Sequence, residues 1–303
     1  MNEQRKSNVL LDYTLPIVVV LFSIAGIIGR GMNLVLGYEA ETALPIAHDR
    51  GEIGLIVTCC LTLLAAVTLS RRNKRLQGKP FEDVFGTENV LFKTISVVAG
   101  LLMIAAGGYG LMLAVTGQGG KVSHAAAQIA SSPSVFNQVA LYPLWILAIL
   151  TGGCMIGLAT ALSRRNITES TASMTVIPMF WACFDLIITF KDNGASPFLG
   201  LYAFELLAAV FLTYAFYALA GMLYANLGPS RFAGAGCLAV VLCMTCAGGF
   251  AASKVLGTSP VEFGMETVMR YVCFFAAGLW LLAMLVVLCS SQVRTEHEDE
   301  NDD

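Results

Sequence analysis

The chain has 303 residues, of which 56% are hydrophobic and 13% are charged. Soluble proteins carry roughly 25% charged residues, so this composition excludes an ordinary soluble domain. The formal net charge of −3 is accounted for by the six carboxylates of the C-terminal stretch "EHEDENDD" and does not indicate a nucleic-acid partner.

Eight apolar stretches follow one another along the chain, and each is close to the roughly 20 residues that a membrane-spanning helix needs. The segments between them are too short for a second globular domain. The sequence therefore predicts an all-α, polytopic transmembrane bundle over residues 1–290, followed by a disordered, acidic cytoplasmic tail at 291–303. The predicted spans are 13–37, 51–70, 92–116, 138–162, 173–190, 199–226, 234–256 and 266–289.

The distribution of Lys and Arg predicts that both termini are cytoplasmic. With the N-terminus inside, the inner segments carry twelve of these residues and the outer segments five. The motif "LSRRN" stands at 69–73 and again at 162–166, each time at the inner end of a span. This favours a chain built from two-helix hairpin repeats, although the charge rule alone also places basic pairs there.

Charged residues within spans are costly and mark a functional site or an ion pair. Arg30, Asp185 and Glu205 lie seven, five and six residues from the outer ends of their predicted spans, which corresponds to depths of about 10, 8 and 9 Å. The shared depth predicts an outward-facing polar pocket in which Arg30 pairs with one carboxylate and the other binds a proton or cation. An ion pair that only fixes helix register is the alternative. Residues expected to line the pocket at a similar depth are Asn33, Tyr202 and Trp181.

Arg270 and Lys254 are interpreted differently, as residues near the outer interface. Glu266 precedes Arg270 by four residues, a spacing that places the two side chains on one helix face. Long basic side chains near helix ends extend toward the interface. The sequence therefore predicts no buried role for either basic residue.

Glycines are expected to bring helices close together. The stretches "AGIIGRG" at 25–31 and "AAGGYG" at 105–110 lie inside predicted spans. Small residues at such positions let two membrane helices approach closely, and no strand precedes either stretch, as a nucleotide-binding loop would require.

No cofactor, metal site or catalytic residue is expected. The three histidines, His48, His124 and His297, all lie outside the predicted spans, where they cannot serve as axial ligands to a haem held between membrane helices. The chain contains no phosphate loop, nucleophile elbow or HExxH motif. The sequence thus favours a non-enzymatic membrane protein that binds or transports a small solute or ion. The alternative is a membrane anchor or assembly subunit that docks a soluble partner on the cytoplasmic loop at 71–86, through charged residues mixed with Phe81 and Phe85.

Three stretches resemble a group of uncharacterised bacterial polytopic membrane proteins of about this length. They are "ALPIAHD" at 43–49, "FWACFDLIITFKDN" at 180–193 and "LYAFELLAAVFL" at 201–212. The resemblance covers about half of the chain and implies a multi-pass protein of the bacterial inner membrane, without implying an activity. It includes the glutamate at Glu205 but no acid at the position of Asp185.

The predicted orientation can be tested by labelling. Cysteines introduced at Lys121 and Asp192, in otherwise cysteine-free protein, are expected to react with a membrane-impermeant thiol reagent from outside the cell. A cysteine introduced at Lys79 should react only after the membrane is permeabilised. The reverse pattern would contradict the cytoplasmic placement of both termini.

Overall fold

The structure of the chain is a computed structural model. It describes residues 14–39, 45–46, 49–71, 76, 78–117, 135–193, 199–225, 227–257, 259, 261 and 263–302. Within these residues the fold is all-α, with no strand and a single isolated β-bridge between Tyr38 and Pro45. The helices are α1 Thr14–Leu36, α2 Arg50–Ser70, α3 Phe81–Phe85, α4 Val90–Thr116, α5 Val135–Ser163, α6 Glu169–Ser173, α7 Val176–Asn193, α8 Leu199–Tyr224, α9 Pro229–Leu256 and α10 Met265–Asp302.

Eight segments are long and apolar enough to cross a membrane, which confirms the predicted all-α, eight-span fold. The short helix α6 and the following α7 together make the fifth span, Glu169–Lys191. The seventh span begins at Pro229, five residues before the predicted start at 234. Proline suits the first turn of a helix because its missing N–H has no partner there anyway.

The C-terminal tail differs from the prediction of disorder. Helix α10 continues from the last span through the acidic stretch to Asp302. A helix that is already formed gains one backbone hydrogen bond for each residue added, and glutamate is a good helix former. The span therefore supplies the nucleus that an isolated acidic segment lacks.

Six of the spanning helices form a closed ring in the order α4, α5, α7, α8, α9 and α10, with α10 packing back against α4. Helices α1 and α2 pack on the outside of this ring, mainly against α9. The most apolar windows of α9 and α10 are 72% buried, whereas that of α2 is 22% buried. Helices α9 and α10 are therefore the core of the bundle, and α2 is a peripheral helix.

The loops predicted to be cytoplasmic meet at one end of the bundle. The Glu82 carboxylate accepts a hydrogen bond of 2.9 Å from the Ile167 N–H, and the Ser291 hydroxyl donates one of 2.6 Å to the Val84 carbonyl. The Phe85 ring packs edge-on against Phe232 at 5.5 Å between centroids. The segments after the second, fourth and eighth spans thus lie on one side, as an even number of spans with both termini together requires.

Two aromatic residues of the expected docking surface at 71–86 contact the bundle instead of solvent. Phe81 and Phe85 are buried within the bundle, because α3 packs against the inner part of α10. Their rings also pack against each other, at 4.8 Å between centroids. The two aromatic residues predicted to hold a soluble partner are therefore engaged inside the protein.

Two pairs of helices approach closely at glycines. Within the predicted stretches, a Cβ added to Gly107 on α4 would lie 2.9 Å from Cγ1 of Ile149 on α5, and one added to Gly31 on α1 would lie 2.9 Å from Cβ of Ala252 on α9. Glycines outside these stretches approach their partner helices as closely. Between α4 and α5, a Cβ added to Gly152 would lie 2.5 Å from the Gly100 carbonyl oxygen, and one added to Gly100 would lie 2.7 Å from the Gly152 carbonyl oxygen. Between α1 and α9, a Cβ added to Gly249 would lie 2.5 Å from Cβ of Arg30. Larger side chains at these positions would force the helices apart.

Gly152→Ala is expected to destabilise the protein by about 1–3 kcal/mol, the usual cost of overpacking a close contact. The measurement is thermal unfolding of purified protein in detergent. Gly153→Ala is the matched control, because a Cβ at this neighbouring glycine meets nothing within 4 Å. Equal stability of the two variants would contradict the close approach of α4 and α5.

Candidate functional site

A buried arginine joins two carboxylates from neighbouring helices. Arg270 of α10 donates from Nε to Oδ1 of Asp185 on α7 at 2.8 Å, and its Nη1 lies 3.1 Å from Oε1 of Glu205 on α8. Its Nη2 donates to the Thr189 hydroxyl, one turn beyond Asp185. The exposed fractions of Asp185, Glu205 and Arg270 are 1%, 2% and 6%. We call these four side chains the charge cluster.

The two ion pairs are not equivalent. The contact from Arg270 to Asp185 is a hydrogen bond, whereas the contact to Glu205 at 3.1 Å lacks hydrogen-bond geometry, so Glu205 Oε1 has no hydrogen-bond donor among the described residues. The other oxygen, Oε2, accepts a long hydrogen bond of 3.5 Å from the Tyr271 hydroxyl. Asp185 Oδ2 also has no hydrogen-bond donor in the described part of the chain. Within the described residues, Asp185 Oδ2 therefore accepts no hydrogen bond, and Glu205 Oε1 has the ion contact with Arg270 but no hydrogen bond.

Arg270 occupies a position that the sequence analysis assigned to the interface. It lies five residues after the first residue of α10, about 8 Å along the helix, and it faces α7 and α8 instead of the lipid surface. Glu266 is buried and acts electrostatically on the same guanidinium. Glu266 and Arg270 therefore interact electrostatically, in keeping with their four-residue spacing. The prediction that Arg270 has no buried role was wrong. The missed signal is that Arg270 lies at the same depth as the two carboxylates.

Arg30 belongs to an adjoining polar network. Its Nη1 donates to Asn33 Oδ1 at 2.8 Å, and Asn33 Nδ2 donates to Asp49 Oδ2 at 3.0 Å. Asp49 also caps α2 by accepting from the Glu52 N–H at 3.1 Å. The Arg30 guanidinium lies over the Phe204 ring, 5.4 Å from its centroid. This network ties the end of α1 to the beginning of α2 and to α8.

Arg30 and the charge cluster are electrostatically linked, because the charge of Arg30 acts on Glu205. The sequence analysis predicted that Arg30 pairs with one carboxylate; the described ion pairs add Arg270 as a direct partner of both. Tyr38 lies just after the end of α1. Burial raises the pKa of its phenol above the usual value, whereas the charge of Arg30 and a hydrogen bond with Arg30 lower this pKa. Tyr38 therefore remains a neutral neighbour of Arg30.

The remaining predicted lining residues lie around these groups. Trp181 is buried on α7, one turn before Asp185. Tyr202 lies three residues before Glu205 on α8 and packs against a small cluster of buried residues. This cluster, which we call the outer cover, consists of Leu34, Tyr38 and Val261, with Tyr202 and Phe263 packed against it.

The outer cover closes the predicted outward-facing pocket. Leu34 follows Arg30 by four residues, and Tyr202 precedes Glu205 by three, so both lie between the charged side chains and the ends of their helices. The Ser259 hydroxyl donates a hydrogen bond of 2.8 Å to the Leu34 carbonyl. This bond connects the segment between α9 and α10 to α1. The charge cluster is therefore enclosed in this conformation, and not open to the outside as the sequence analysis expected.

The described residues contain no group of three or more His, Cys, Asp and Glu side chains that could hold a metal ion. No family model, curated protein or solved structure matches the chain. The resemblance to a bacterial membrane family thus stays a prediction.

Arg270→Gln is expected to reduce stability at pH 7.5 by about 3–5 kcal/mol, because it leaves two buried carboxylates without their cation. Lower pH should partly restore the variant, since each carboxylate that takes up a proton becomes neutral and no longer needs a counter-ion. Thermal unfolding at pH 5 and pH 7.5 measures both effects.

Arg231→Gln serves as the matched control, because Arg231 is exposed at the start of α9. The control should unfold like the natural protein at both pH values. An Arg270→Gln variant that is as stable as the control at pH 7.5 would contradict the importance of the buried ion pairs.

Proposed function

We propose that this integral membrane protein binds or transports a small solute or ion at the charge cluster, with Glu205 as the carboxylate that takes up and releases a proton. The observation that carries the proposal is the pair of buried carboxylate oxygens, Asp185 Oδ2 and Glu205 Oε1, that lack a hydrogen-bond donor among the described residues. A buried acceptor without a donor costs about 1–3 kcal/mol, and more when it is charged. A bound proton or ligand removes this cost.

The asymmetry of the two ion pairs supports Glu205 as the exchanging group. Arg270 donates one hydrogen bond to Asp185 and a second to the Thr189 hydroxyl on the same helix, α7. Among the described residues, Glu205 contacts Arg270 as an ion pair and accepts one long hydrogen bond, from Tyr271. Protonation of Glu205 therefore releases one arm of Arg270 and leaves the pair with Asp185 intact.

The position of the site supports exchange with one side of the membrane. Glu205 lies six residues from the beginning of α8, a distance of about 9 Å. Among the described residues, the outer cover lies between Glu205 and that end of the bundle. Movement of the cover would expose Glu205 without separating the helices of the ring, which is the gating that alternate access to a buried site needs.

The anchor alternative receives less support. Its predicted docking surface depended on Phe81 and Phe85, and both are buried in the bundle. We expect a protein without enzymatic activity in a bacterial cytoplasmic membrane, as proposed from the sequence.

Glu205→Gln is expected to abolish a titrating buried carboxyl group, which infrared difference spectroscopy of the purified protein detects as a protonated carboxyl band that grows as the pH falls. The band should be present in the natural protein and in Asp83→Asn, which changes an exposed carboxylate. Once the solute has been identified, proteoliposomes that contain the Glu205→Gln protein should fail to accumulate it.

Two outcomes would overturn the proposal. One is the absence of any buried titrating carboxyl group in the natural protein, a measurement that needs no variant. The other is a folded Glu205→Gln protein whose proton exchange equals that of Asp83→Asn. If Glu205→Gln does not fold, the natural protein alone still decides.

A further inference from the structure

We infer that α8 is the interface between two copies of this chain, which pack side by side in the membrane through Leu207, Val210, Tyr214 and Tyr217. We call these four residues the α8 seam. Three observations carry the inference. Two tyrosines are exposed within a span, the exposed residues follow the repeat of paired helices, and a tyrosine hydroxyl can bond to its own counterpart.

Tyr214 and Tyr217 are exposed far from the ends of a membrane span. The exposed fractions of the two residues are 44% and 49%. Tyr214 lies ten residues before the end of the sixth span, Tyr202–Tyr224, which is about 15 Å from the nearer end. Tyr217 lies about 10 Å from that end. Side chains on a helix lean toward its N-terminus, so Tyr217 leans toward the middle of the span.

The hydroxyls of Tyr214 and Tyr217 make no hydrogen bond within the described part of the chain. Their rings stack on each other, at 6.3 Å between centroids. The hydrocarbon core of a membrane offers no hydrogen-bonding group in place of water, and a hydroxyl without a partner is unfavourable there. Tyrosines suit the ends of spans instead, where Tyr142 and Tyr224 lie. The α8 seam therefore suits contact with protein better than contact with lipid.

The exposed residues of α8 are spaced as in paired helices. The members of the α8 seam follow one another at intervals of three, four and three residues, and all four are exposed. This 3.5-residue repeat keeps one face of a helix against a partner helix over successive turns, and membrane helices mostly pair in this left-handed geometry. Gly221 would continue the repeat, but the Leu227 side chain of the same chain covers it.

A second copy of the chain is complementary to the α8 seam. Copies inserted in the same orientation present parallel α8 helices, and a twofold axis along the membrane normal places each residue opposite its own counterpart at the same depth. A tyrosine hydroxyl is both donor and acceptor, so Tyr214 can bond to Tyr214 of the partner subunit, and Tyr217 to its own counterpart. The α8 seam carries no charged side chain, so two identical surfaces meet without charge repulsion.

The first test measures association of the full-length protein in liposomes by single-molecule photobleaching, as the protein-to-lipid ratio is lowered. We expect a monomer–dimer equilibrium that Tyr214→Phe/Tyr217→Phe shifts about eightfold toward the monomer. Two hydrogen bonds between helices are lost, and each changes the association constant by about threefold. The control, Tyr109→Phe/Tyr142→Phe, removes two exposed hydroxyls from α4 and α5 and should dimerise like the natural protein.

The second test identifies the face by cross-linking in native membranes. In otherwise cysteine-free protein, Val210→Cys should form a disulfide between two copies when the membranes are oxidised with copper phenanthroline. Leu101→Cys is the matched control, because Leu101 is also exposed and lies eleven residues after the first residue of α4, as Val210 does on α8. The control should not cross-link.

Three results would overturn the inference. The first is a natural protein that stays monomeric at every protein-to-lipid ratio. The second is a Val210→Cys protein that forms no cross-link, or whose cross-linked product contains a different protein instead of a second copy. The third is a folded Tyr214→Phe/Tyr217→Phe protein that dimerises like the control. If this double variant does not fold, the natural protein and Val210→Cys decide.

Discussion

The ion pairs of Arg270 are the constraint on which the arrangement of the bundle depends. Two carboxylates on the α7–α8 hairpin lie inside a membrane protein, where unpaired charges are unfavourable by several kcal/mol. One guanidinium on α10 contacts both of them. Because α10 packs its backbone mainly against α4 and α9, the long side chain of Arg270 joins opposite parts of the ring. The positions of three helices are thereby coupled to one charged group.

Glycine packing places the second arginine beside this group. Gly249 on α9 has no side chain where Cβ and Cγ of Arg30 lie, since an added Cβ would come within 2.5 Å of both atoms. The close contact of α1 with α9 therefore brings Arg30 over Phe204, the residue next to Glu205. A helix outside the six-membered ring thus contributes charge to a site inside it, and the Asn33–Asp49 contacts connect that charge to the start of α2.

Hydrophobic length and residue type were sufficient to predict the number of spans, their approximate ends and the tight glycine contacts, because these depend on the solvent and on local backbone geometry. They also indicated that Asp185 and Glu205 share a depth. They did not indicate which cation pairs with them, since Arg30 and Arg270 lie at similar depths and only the rotation of each helix decides which one faces the hairpin. The burial of Phe81 and Phe85 was missed for a related reason. A short interfacial helix that folds back on the bundle has the same sequence pattern as an exposed amphipathic loop.

The enclosure of the charge cluster and the incomplete hydrogen bonding of its carboxylates have a common physical explanation. Arg270 contacts both carboxylates, and Arg30 acts on Glu205 from the adjoining network. Under the proposed function, uptake of a proton by Glu205 changes the charge enclosed beneath the apolar cover, so protonation and closure would be coupled. Among the described contacts, the hydrogen bond from Ser259 to the Leu34 carbonyl and the packing of Val261 against Tyr38 hold the cover in place. Under the proposed function, the charge of the carboxylates themselves would set the balance between the enclosed and the hydrated state.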